Sequence, residues 1–365
     1  MSWSEIKKED FLEAVDVLNL VPQRAGIPSS DYIRVTQKKK SLEMALTSSV
    51  AGVTKTEVSS QNGDSTFFVD RRLLVPFIQA GKSWKGDFKV DLLESKWAIK
   101  QGSRRAEFAM RKDPIGGYLD WQSRDNLKEI KLSEELRKLL LASNQCATGD
   151  PSLQHLNCVY IGGKLVLSTN LASLFVGTRS KEDGMKFPFP VGVIPLLGEG
   201  LVKGVGVDGD VVILDCGCGY LEGTVSAIAQ KSFPKKDIVE RVQKGRSWPV
   251  LVKLPAERVA KLLTRLTEYL ASVKREDWMV RLEVGDGKVK ATVRVQQGKF
   301  EESLAVEEAT QDGIIEWPLD LVKPVLEYMA EHGETIKVRV DEKGRTPYLV
   351  TGGGVDLMVG RKISK

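Results

Sequence analysis

The sequence predicts an α+β fold made of three similar domains, each with two helices packed on β-sheets. One unit of sequence occurs three times, at residues 67–81, 187–200 and 313–333: a short strand, an apolar helix that contains a proline, and a glycine stop. The copies lie roughly one-third of the chain apart, and so long a period indicates repeated domains. In addition, each third contains an amphipathic first helix, and the stretches between helices alternate apolar and polar residues, as strands do.

The first predicted domain comprises residues 1–122. Its first helix is predicted over Ser4–Leu20, with Ser4 as N-cap and an apolar face that includes Phe11 and Leu18. Strands are predicted over residues 32–58, where the helical period is absent. After the first copy of the repeated unit, three more strands follow, separated by two turns that contain glycine.

The second predicted domain comprises residues 123–245 and repeats this order. Its first helix is predicted over Leu132–Leu141, with Ser133 as N-cap and a leucine stripe as the buried face. Strands follow, with a hairpin at Gly162–Gly163. The second copy of the repeated unit comes next, and then a hairpin across Asp208–Gly209.

The third predicted domain, residues 246–365, opens after a charged segment at residues 234–247. Pro255–Val273 is predicted to be its first helix and the longest of the chain. A hairpin is predicted at residues 285–288, before the third copy of the repeated unit. The segment Thr351–Gly354 is predicted to form a turn between the two final strands, because no helix or lysine follows its glycines as in a phosphate-binding loop.

The composition argues against several classes of function. No apolar run is long enough to span a bilayer, and the N-terminus has no apolar core of a signal peptide. Four cysteines without a framework spacing favour free thiols in a reducing compartment, so we expect a cytoplasmic protein. Two histidines leave little room for histidine catalysis or a histidine-rich metal site, and we predict no catalytic residue, no metal and no cofactor.

Basic residues recur on helix faces away from the apolar stripes. The net charge of +5 is a mild excess, so the placement of the charge matters more than its sum. In the longest predicted helix, Arg258, Lys261 and Arg265 form a row of their own. Such rows either lie in water or contact phosphates through non-specific, salt-dependent interactions. The residues predicted to contact nucleic acid are Arg24, Arg71, Arg72, Lys82, Arg104, Arg105, Arg137, Lys138, Lys203, Arg246, Arg258, Lys261, Arg265 and Lys323.

The segment at residues 211–219 offers an alternative from the enzyme class. An apolar strand ends there in Asp-Cys-Gly-Cys-Gly, which resembles the first motif of adenosylmethionine-dependent methyltransferases. In that motif the glycines open a strand-to-helix turn. Here Tyr220–Val225 reads as the return strand of a hairpin instead, and Cys216 with Cys218 lacks the further ligands that a metal needs.

Four short segments carry a resemblance to a known family: Leu156–Val159, Leu165–Asn170, Phe233–Pro234 and Asp356–Arg361. They resemble four motifs of the bacterial processivity clamp, the beta subunit of DNA polymerase III. In the order given, these motifs are its Leu-Asn-Gly strand, its strand ending in Ala-Thr-Asp, its Phe-Pro link and its closing Met-Pro-Met-Arg. The order of elements matches over essentially the whole chain. Departures such as Val359 in place of the closing proline are typical of a divergent member, for instance one encoded by a phage.

The resemblance implies a DNA sliding clamp without an active site. Two copies would join head to tail, the first domain of one against the third domain of the other, and close a ring around duplex DNA. The helices would line the hole, and the basic residues named above would contact the DNA. A clamp loader would place the ring, which would tether the replicative polymerase and other replication or repair proteins. A clamp-like accessory protein that does not encircle DNA is the further alternative.

The resemblance also implies two protein contacts. Members of the family hold partner peptides in an apolar pocket between the second and third domains, although apolar residues on strands equally fit an ordinary core. By position, the residues of that pocket are Leu156, Thr169, Leu171, Leu174, Val239, Val242, Met358, Val359 and Arg361. The residues assigned to the dimer interface are Phe108, Leu270 and Val273.

Overall fold

A computed structural model confirms the α+β class, with helices packed on antiparallel sheets. It describes residues 3–24, 26–59, 64–122, 128–182, 185–271, 278–295, 298–310, 312–341 and 347–360. The α-helices in these ranges are α1 (Lys8–Asn19), α2 (Pro28–Asp31), α3 (Arg71–Ala80), α4 (Glu134–Asn144), α5 (Ala227–Ser232), α6 (Lys235–Arg246), α7 (Ala256–Leu270) and α8 (Leu319–His332).

The strands follow one another closely along the chain, and most are three to eight residues long. They are β1 (Ser4–Ile6), β2 (Tyr32–Lys38), β3 (Ser41–Thr47), β4 (Ala51–Glu57), β5 (Ser65–Asp70), β6 (Phe88–Leu92), β7 (Lys96–Gln101), β8 (Arg104–Ala109), β9 (Lys128–Glu129), β10 (Cys158–Gly162), β11 (Leu165–Thr169), β12 (Ser173–Thr178), β13 (Lys186–Pro190), β14 (Gly204–Asp208), β15 (Val211–Asp215), β16 (Gly219–Thr224), β17 (Val250–Pro255), β18 (Met279–Gly285), β19 (Lys288–Val295), β20 (Gly298–Ala305), β21 (Glu308–Ala309), β22 (Gly313–Pro318), β23 (Thr335–Arg339), β24 (Tyr348–Gly352) and β25 (Val355–Val359).

The chain divides into two compact units, and unit 1 comprises residues 1–131 and 196–224. Its larger sheet has the order β5-β2-β3-β4-β16-β15-β14-β9, and its smaller sheet has the order β1-β6-β7-β8. Strands β4 and β16 are distant in sequence but pair directly. Helices α1 and α3 pack against each other and α1 also packs on β4, so the apolar stripe of α1 is buried.

Unit 2 comprises residues 132–195 and 225–365. Its larger sheet has the order β13-β10-β11-β12-β25-β24-β23-β17-β21, and its smaller sheet has the order β20-β19-β18-β22. Strand β12 pairs with β25, so the end of the chain lies beside a strand from its middle. Because strands of the middle third occur in both units, the domain limits 1–122, 123–245 and 246–365 stay a prediction.

Several predicted elements are confirmed with their local causes. Ser133 caps α4, since its Oγ accepts a hydrogen bond from the Leu136 amide at 3.1 Å. The segment at residues 313–333 forms β22 and then α8, with Pro324 inside the helix. The glycine turns predicted at residues 162–163, 208–209, 285–288 and 351–354 all join antiparallel strands.

Three predictions differ from the structure. Ser4 does not cap a helix: it lies buried in β1, opposite Val90, because pairing with β6 buries it together with Ile6. The second copy of the repeated unit forms only a 3-10 helix, Ile194–Gly198, since its proline lacks an amide hydrogen and a glycine ends it within five residues. Finally, the charged segment contains helix α6, although its many charged residues did not predict a helix.

Candidate functional site

Helix α6 covers one face of the larger sheet of unit 2. Although most of its residues are polar, Ile238, Val242 and Gly245 are buried at helical spacing against that sheet. On the strands, Leu174 and Met358 are cross-strand partners and point to the same face. The predicted pocket residues Leu174, Val239, Val242 and Met358 therefore meet in one apolar cluster, together with other side chains of this chain.

The other predicted pocket residues lie elsewhere. Val359 follows Met358 in β25, so its side chain points to the opposite face of the sheet. Leu156 is fully buried at the end of a 3-10 helix, and Thr169 is buried at the end of β11, where the turn to β12 begins. Leu171 lies in the same turn and is exposed. Arg361 lies outside the described residues.

An ion pair fastens the end of α6 to the sheet. The Arg246 guanidinium donates to the Asp356 carboxylate, with Nε 3.0 Å from Oδ2. The side chain of Asp356 is 4% exposed, whereas that of Arg246 is 56% exposed. This hydrogen bond raises the pKa of Arg246 above its usual value, because it stabilises the charged form. At the other end of α6, the ammonium of Lys235 lies 3.7 Å from the centre of the Tyr160 ring.

A cleft of about 310 Å³ opens in unit 2 near the ends of α4 and α8. Its walls come from the C-cap of α4, the loop between β11 and β12, the start of β18, the start of α8 and the residue after β25. Most of the lining is apolar or neutral. The lining residues are Gln145, Asn170, Ala172, Trp278, Met279, Pro318, Asp320, Leu321 and Gly360.

The turn between β11 and β12 is held by its own polar side chains. Asn170 Oδ1 accepts hydrogen bonds from the amides of Ala172 (3.1 Å) and Ser173 (2.8 Å). Thr169 Oγ1 accepts one from the Leu171 amide (3.1 Å) and donates one to the Ser173 carbonyl (2.8 Å). The Gly360 amide donates to the Ala172 carbonyl at 2.7 Å. The turn therefore holds one conformation at the edge of the cleft.

Most of the basic residues that the sequence offered for phosphate contact already have a carboxylate partner. In unit 1, Arg72 pairs with Asp70, Lys82 with Asp16, Arg105 with Glu107 and Lys203 with Glu13, all within 3.0 Å. In unit 2, Lys138 pairs with Glu331, Lys323 with Glu327 and Arg246 with Asp356. Apart from Arg246–Asp356, these pairs are mainly exposed, so each contributes little stability but reduces the local positive potential.

The row on α7 is also largely neutralised. Lys261 pairs with Glu257 one turn away on the same helix, and Arg265 Nε lies 2.8 Å from the Glu302 carboxylate of β20. Among the described residues, the side chain of Arg258 has one long hydrogen bond, 3.4 Å, to the Ala305 carbonyl. Glu302 lies on a strand that is distant along the chain, so the sequence pattern did not show it as a partner, whereas Glu257 lies four residues before Lys261 and was visible in the sequence.

Arg71 is placed in the core of unit 1. Its side chain is 7% exposed, and Nη2 donates to the Asn19 carbonyl oxygen at 3.0 Å and to Asn19 Oδ1 at 3.3 Å. Burial lowers the pKa of the guanidinium below its usual value. Arg71 joins α3 to the end of α1 and is not accessible to a phosphate.

Besides Arg258 and the buried Arg71, three of the predicted cations have no carboxylate partner among the described residues. Arg24 is exposed in the segment after α1, and Arg137 lies half-buried in the first turn of α4. Arg104 stacks on Trp84, with 4.9 Å from its guanidinium carbon to the ring centre. Arg24, Arg137 and Arg258 are therefore the cations with the most freedom to contact an anion, one from each third of the chain.

The residues assigned to the dimer interface are internal to the described chain. Phe108 is buried beside Phe77, with ring centres 5.5 Å apart, and Leu270 is fully buried in α7. Val273 lies outside the described residues. Strand β8 ends one sheet of unit 1 and β20 ends one sheet of unit 2, so each presents a free edge.

The segment that resembles a methyltransferase motif is a hairpin. Strands β15 and β16 pair antiparallel from Val211↔Thr224 to Asp215↔Tyr220, with a turn at Gly217 between them. The strand-to-helix turn that such a cofactor site requires is not formed at this position. All four cysteines are free, and no cluster that could hold a metal occurs among the described residues.

None of the nine residues that line the cleft is among the predicted pocket residues. Four of them lie in two places, Trp278 and Met279 at the start of β18 and Pro318 and Leu321 at the start of α8. The available signal was that these residues lie at the start of a predicted strand or helix, but the two elements are far apart in the sequence.

In the described chain, no helix has the length and apolar character that a membrane span requires.

Comparison with known proteins gives a result at the level of structure. No family model and no curated protein matches the chain. Solved structures do match it over nearly their full length. A DNA polymerase sliding clamp from Caulobacter crescentus is 17% identical, with a TM-score of 0.67, and covers 98% of this chain and 99% of its own. A DNA polymerase III subunit beta from Pseudomonas aeruginosa gives the same values.

A DNA polymerase III beta chain from Streptococcus pneumoniae is 13% identical, with a TM-score of 0.68, and 99% of both chains is covered. At such low identities the match concerns the fold. The chain therefore has the fold of the DNA polymerase III beta subunit, the sliding clamp, and the resemblance predicted from sequence is confirmed at that level.

Proposed function

We propose that this protein is a DNA sliding clamp, a non-catalytic ring that encircles duplex DNA and tethers a replicative polymerase and other proteins of replication or repair. The observation that carries the proposal is the match of fold over 98–99% of this chain to structures of sliding clamps. Such a role would place the protein where the DNA is, in the cytoplasm of a bacterium or of an infected host cell.

The weak electrostatics of the helices support a sliding role. A clamp must contact phosphates without holding any one of them, because tight binding would stop its movement. Most candidate cations here are paired with carboxylates, and the few unpaired ones are spread over the three thirds of the chain. We infer that Arg24, Arg137 and Arg258 make the main contacts, and that the paired cations contribute through a diffuse field.

Ring closure needs a second copy, and the free strand edges support a head-to-tail homodimer. We infer that β8 of one copy pairs with β20 of the other, which would remove both edges. Their charges are complementary: β8 carries Arg104, Arg105 and Glu107, whereas β20 carries Lys299, Glu301 and Glu302. Phe108 and Leu270 would stabilise the two edges from within each copy.

The cleft of unit 2 is the site that we assign to partner peptides. Its volume lies near the lower limit for ligand pockets, and its lining joins apolar surface with a few polar groups. By contrast, the apolar cluster under α6 is filled by the side chains of this chain. We therefore infer that a partner enters beside Leu171 and Ala172.

Two measurements test the proposal. The molar mass in solution is expected to be about twice that of the 40.4 kDa chain at micromolar concentration. With a clamp loader and a polymerase on primed circular DNA, the protein is expected to lengthen the products made in one binding event. A dimer that never stimulates the polymerase and never becomes linked to circular DNA would favour the alternative of a clamp-like accessory protein.

A further inference from the structure

Helix α6 and helix α4 lie on opposite faces of the larger sheet of unit 2. Ile238 and Val242 of α6 pack in one apolar cluster with Leu167 of β11. The next residue of that strand, Ser168, points to the other face, where its hydroxyl donates to the Ser143 carbonyl of α4 at 2.7 Å. A duplex that contacts α4, as proposed above, would therefore lie on the other side of the sheet from α6.

The segment that forms α5 and α6, residues 227–246, carries most of the positive charge of the chain. It has six lysines and arginines against two carboxylates, a net charge of +4, whereas the net charge of the whole chain is +5. All of these cations except the half-buried Lys235 are exposed. They are Lys231, Lys235, Lys236, Arg241, Lys244 and Arg246.

Three of these cations are free to bind an anion. Lys231, Arg241 and Lys244 have neither an ion pair nor a side-chain hydrogen bond among the described residues. Lys236 lies 3.6 Å from the carboxylate of Glu240, and both side chains are exposed, so this pair is weak. The surface of α6 thus differs from the other helices, on which most cations are neutralised by a close carboxylate.

Helix α6 crosses several strands of the sheet and ends near further cations. At its start, the ammonium of Lys235 lies over the ring of Tyr160 in β10. Directly after its end, the Trp248 carbonyl accepts a hydrogen bond from Arg339 Nη1 of β23 at 2.8 Å. From β10 to β23 there are five strand intervals, or about 24 Å at the usual spacing of strands. We call this surface, from Lys235 to Arg339, the basic strip.

Two lysines face each other at the β23 end of the basic strip. Lys337 lies on the same face of β23 as Arg339 and directly opposite Lys253 of β17. Like charges at directly opposite positions of a sheet repel each other. Lys253 has Glu308 as its partner, whereas Lys337 has no ion pair among the described residues. A bound anion would relieve this repulsion.

The chemistry of the basic strip favours a nucleic acid over a protein partner. The exposed residues of α6 are all charged or polar, whereas the centre of a protein interface is depleted in charge and contains apolar anchors. Interfaces with nucleic acid are polar and strongly positive. Half-buried aromatic rings, Tyr160 and Trp248, lie near the two ends, and unpaired bases stack on such rings. In a duplex the bases are not accessible for this contact, so a single strand fits best.

We propose that the basic strip binds single-stranded DNA, on the face of the sheet opposite to α4. Its length matches about seven phosphates at the spacing of a stacked strand. The site is distinct from the contacts that the proposed function assigns to the encircled duplex, and it does not require ring closure. Single-stranded template adjoins the duplex wherever a polymerase works, so such a strand would be available to a sliding clamp.

The test is a fluorescence anisotropy titration with a fluorescein-labelled oligothymidylate of about twelve nucleotides at several salt concentrations. Arg241→Gln combined with Lys244→Gln removes two phosphate contacts. The slope of log affinity against log salt should therefore decrease in magnitude by about 1.4, and the affinity at about 0.1 M salt should fall about 25-fold if it converges near 1 M. Both side chains are exposed and glutamine is a good helix former, so the far-ultraviolet circular dichroism should not change.

The matched control is Lys39→Gln combined with Lys40→Gln, which changes the charge equally at two exposed lysines in the turn between β2 and β3 of unit 1. This variant should bind within twofold of the unchanged protein. Equal losses in both double variants, or no loss in the α6 variant, would overturn the inference.

Two other ligands test the identity of the occupant. A polyglutamate peptide, or a duplex of the same length, should not lose as much affinity as the oligothymidylate in the α6 variant. If either ligand binds as tightly as the oligothymidylate and loses as much, single-stranded DNA is the wrong occupant. Retention of the same variant on circular DNA decides the sliding-clamp proposal separately, because a ring held by topology does not need the contacts of α6.

Discussion

The ion pair between Arg246 and Asp356 gives a prediction that depends on which partner is removed. Arg246→Gln leaves a carboxylate that is 4% exposed without its cation, whereas Asp356→Asn leaves a guanidinium that is 56% exposed and can be hydrated. An unpaired buried charge costs more than the pair contributes. Asparagine is isosteric with aspartate, and Arg246→Gln shortens a side chain that is 56% exposed, so packing should change little in either variant.

The expected magnitudes follow from these exposures. Full burial would cost 3–5 kcal/mol for the lost partner, but water reaches this pair from the exposed arginine side, so we expect about 2 kcal/mol for Arg246→Gln. For Asp356→Asn we expect about 1 kcal/mol or less, because the amide oxygen still accepts a hydrogen bond from the guanidinium. The combination of both changes should cost less than Arg246→Gln alone.

The assay is native-state hydrogen exchange of the amides of α6, since the chain has more than one compact unit and a single global unfolding energy is not defined for it. Protection in α6 should fall about 30-fold in Arg246→Gln and about fivefold or less in Asp356→Asn. Protection in α7 serves as the internal control. Equal effects of the two changes, or a larger effect of Asp356→Asn, would refute the reasoning.

Three further predictions concern charge, burial and thiols. Glu302→Gln should release Arg265 from its ion pair and strengthen association with duplex DNA at low salt. A fluorescence titration should then show a steeper dependence of the affinity on salt. An unchanged salt slope would count against a role for Arg258, Lys261 and Arg265 of α7. Arg71→Met should lower the stability of unit 1 by about 1–3 kcal/mol through the lost hydrogen bonds to Asn19 but leave DNA association unchanged, as measured by native-state hydrogen exchange of the amides of α1 and α3 and by the same titration. Burial raises the pKa of Cys146 from 9.0 to about 12, so this thiol should resist iodoacetamide at pH 8 in the folded chain. The stability of the fold should decrease as the pH rises from 9 toward 12, because only the unfolded thiol ionises in that range. Rapid labelling of Cys146 in the folded chain would contradict this.

The parts of the fold that could be predicted from sequence have causes that are local. Ser133 precedes a leucine stripe and caps α4, and the glycine turns join neighbouring strands. The thrice-repeated unit was also informative, because each copy carries its own strand, proline and glycine. Even there, the second copy forms only a short 3-10 helix, since proline and glycine leave too few residues for a stable α-helix.

The features that could not be predicted depend on contacts between distant residues. Helix α6 is mostly charged. Three of its residues pack on strands that are distant in the chain, some before the helix and others more than a hundred residues after it. This packing makes the segment helical. The ion pairs of Lys138 with Glu331 and of Arg265 with Glu302 likewise join separate elements. A sequence pattern shows the cation on a helix face but not the carboxylate that neutralises it.

The cleft illustrates the same limit for the site. Its walls come from five separate segments, and no pattern of residues indicated that these five segments meet. Leu171 was expected near a pocket from the resemblance alone, but its left-handed backbone follows from the hydrogen bonds of the turn. The family resemblance located the region, and the packing of the chain decided which side chains remain accessible there.

Retention on circular DNA is the measurement that tests the central proposal most directly. The protein is loaded onto nicked circular duplex DNA with a clamp loader, separated from unbound protein by gel filtration at high salt, and the DNA is then cut once with a restriction enzyme. A ring held by topology should stay with the circle, because salt screens phosphate contacts but does not open the ring, and it should leave after the cut. Release from the intact circle at high salt, or retention on the linear product, would contradict the account.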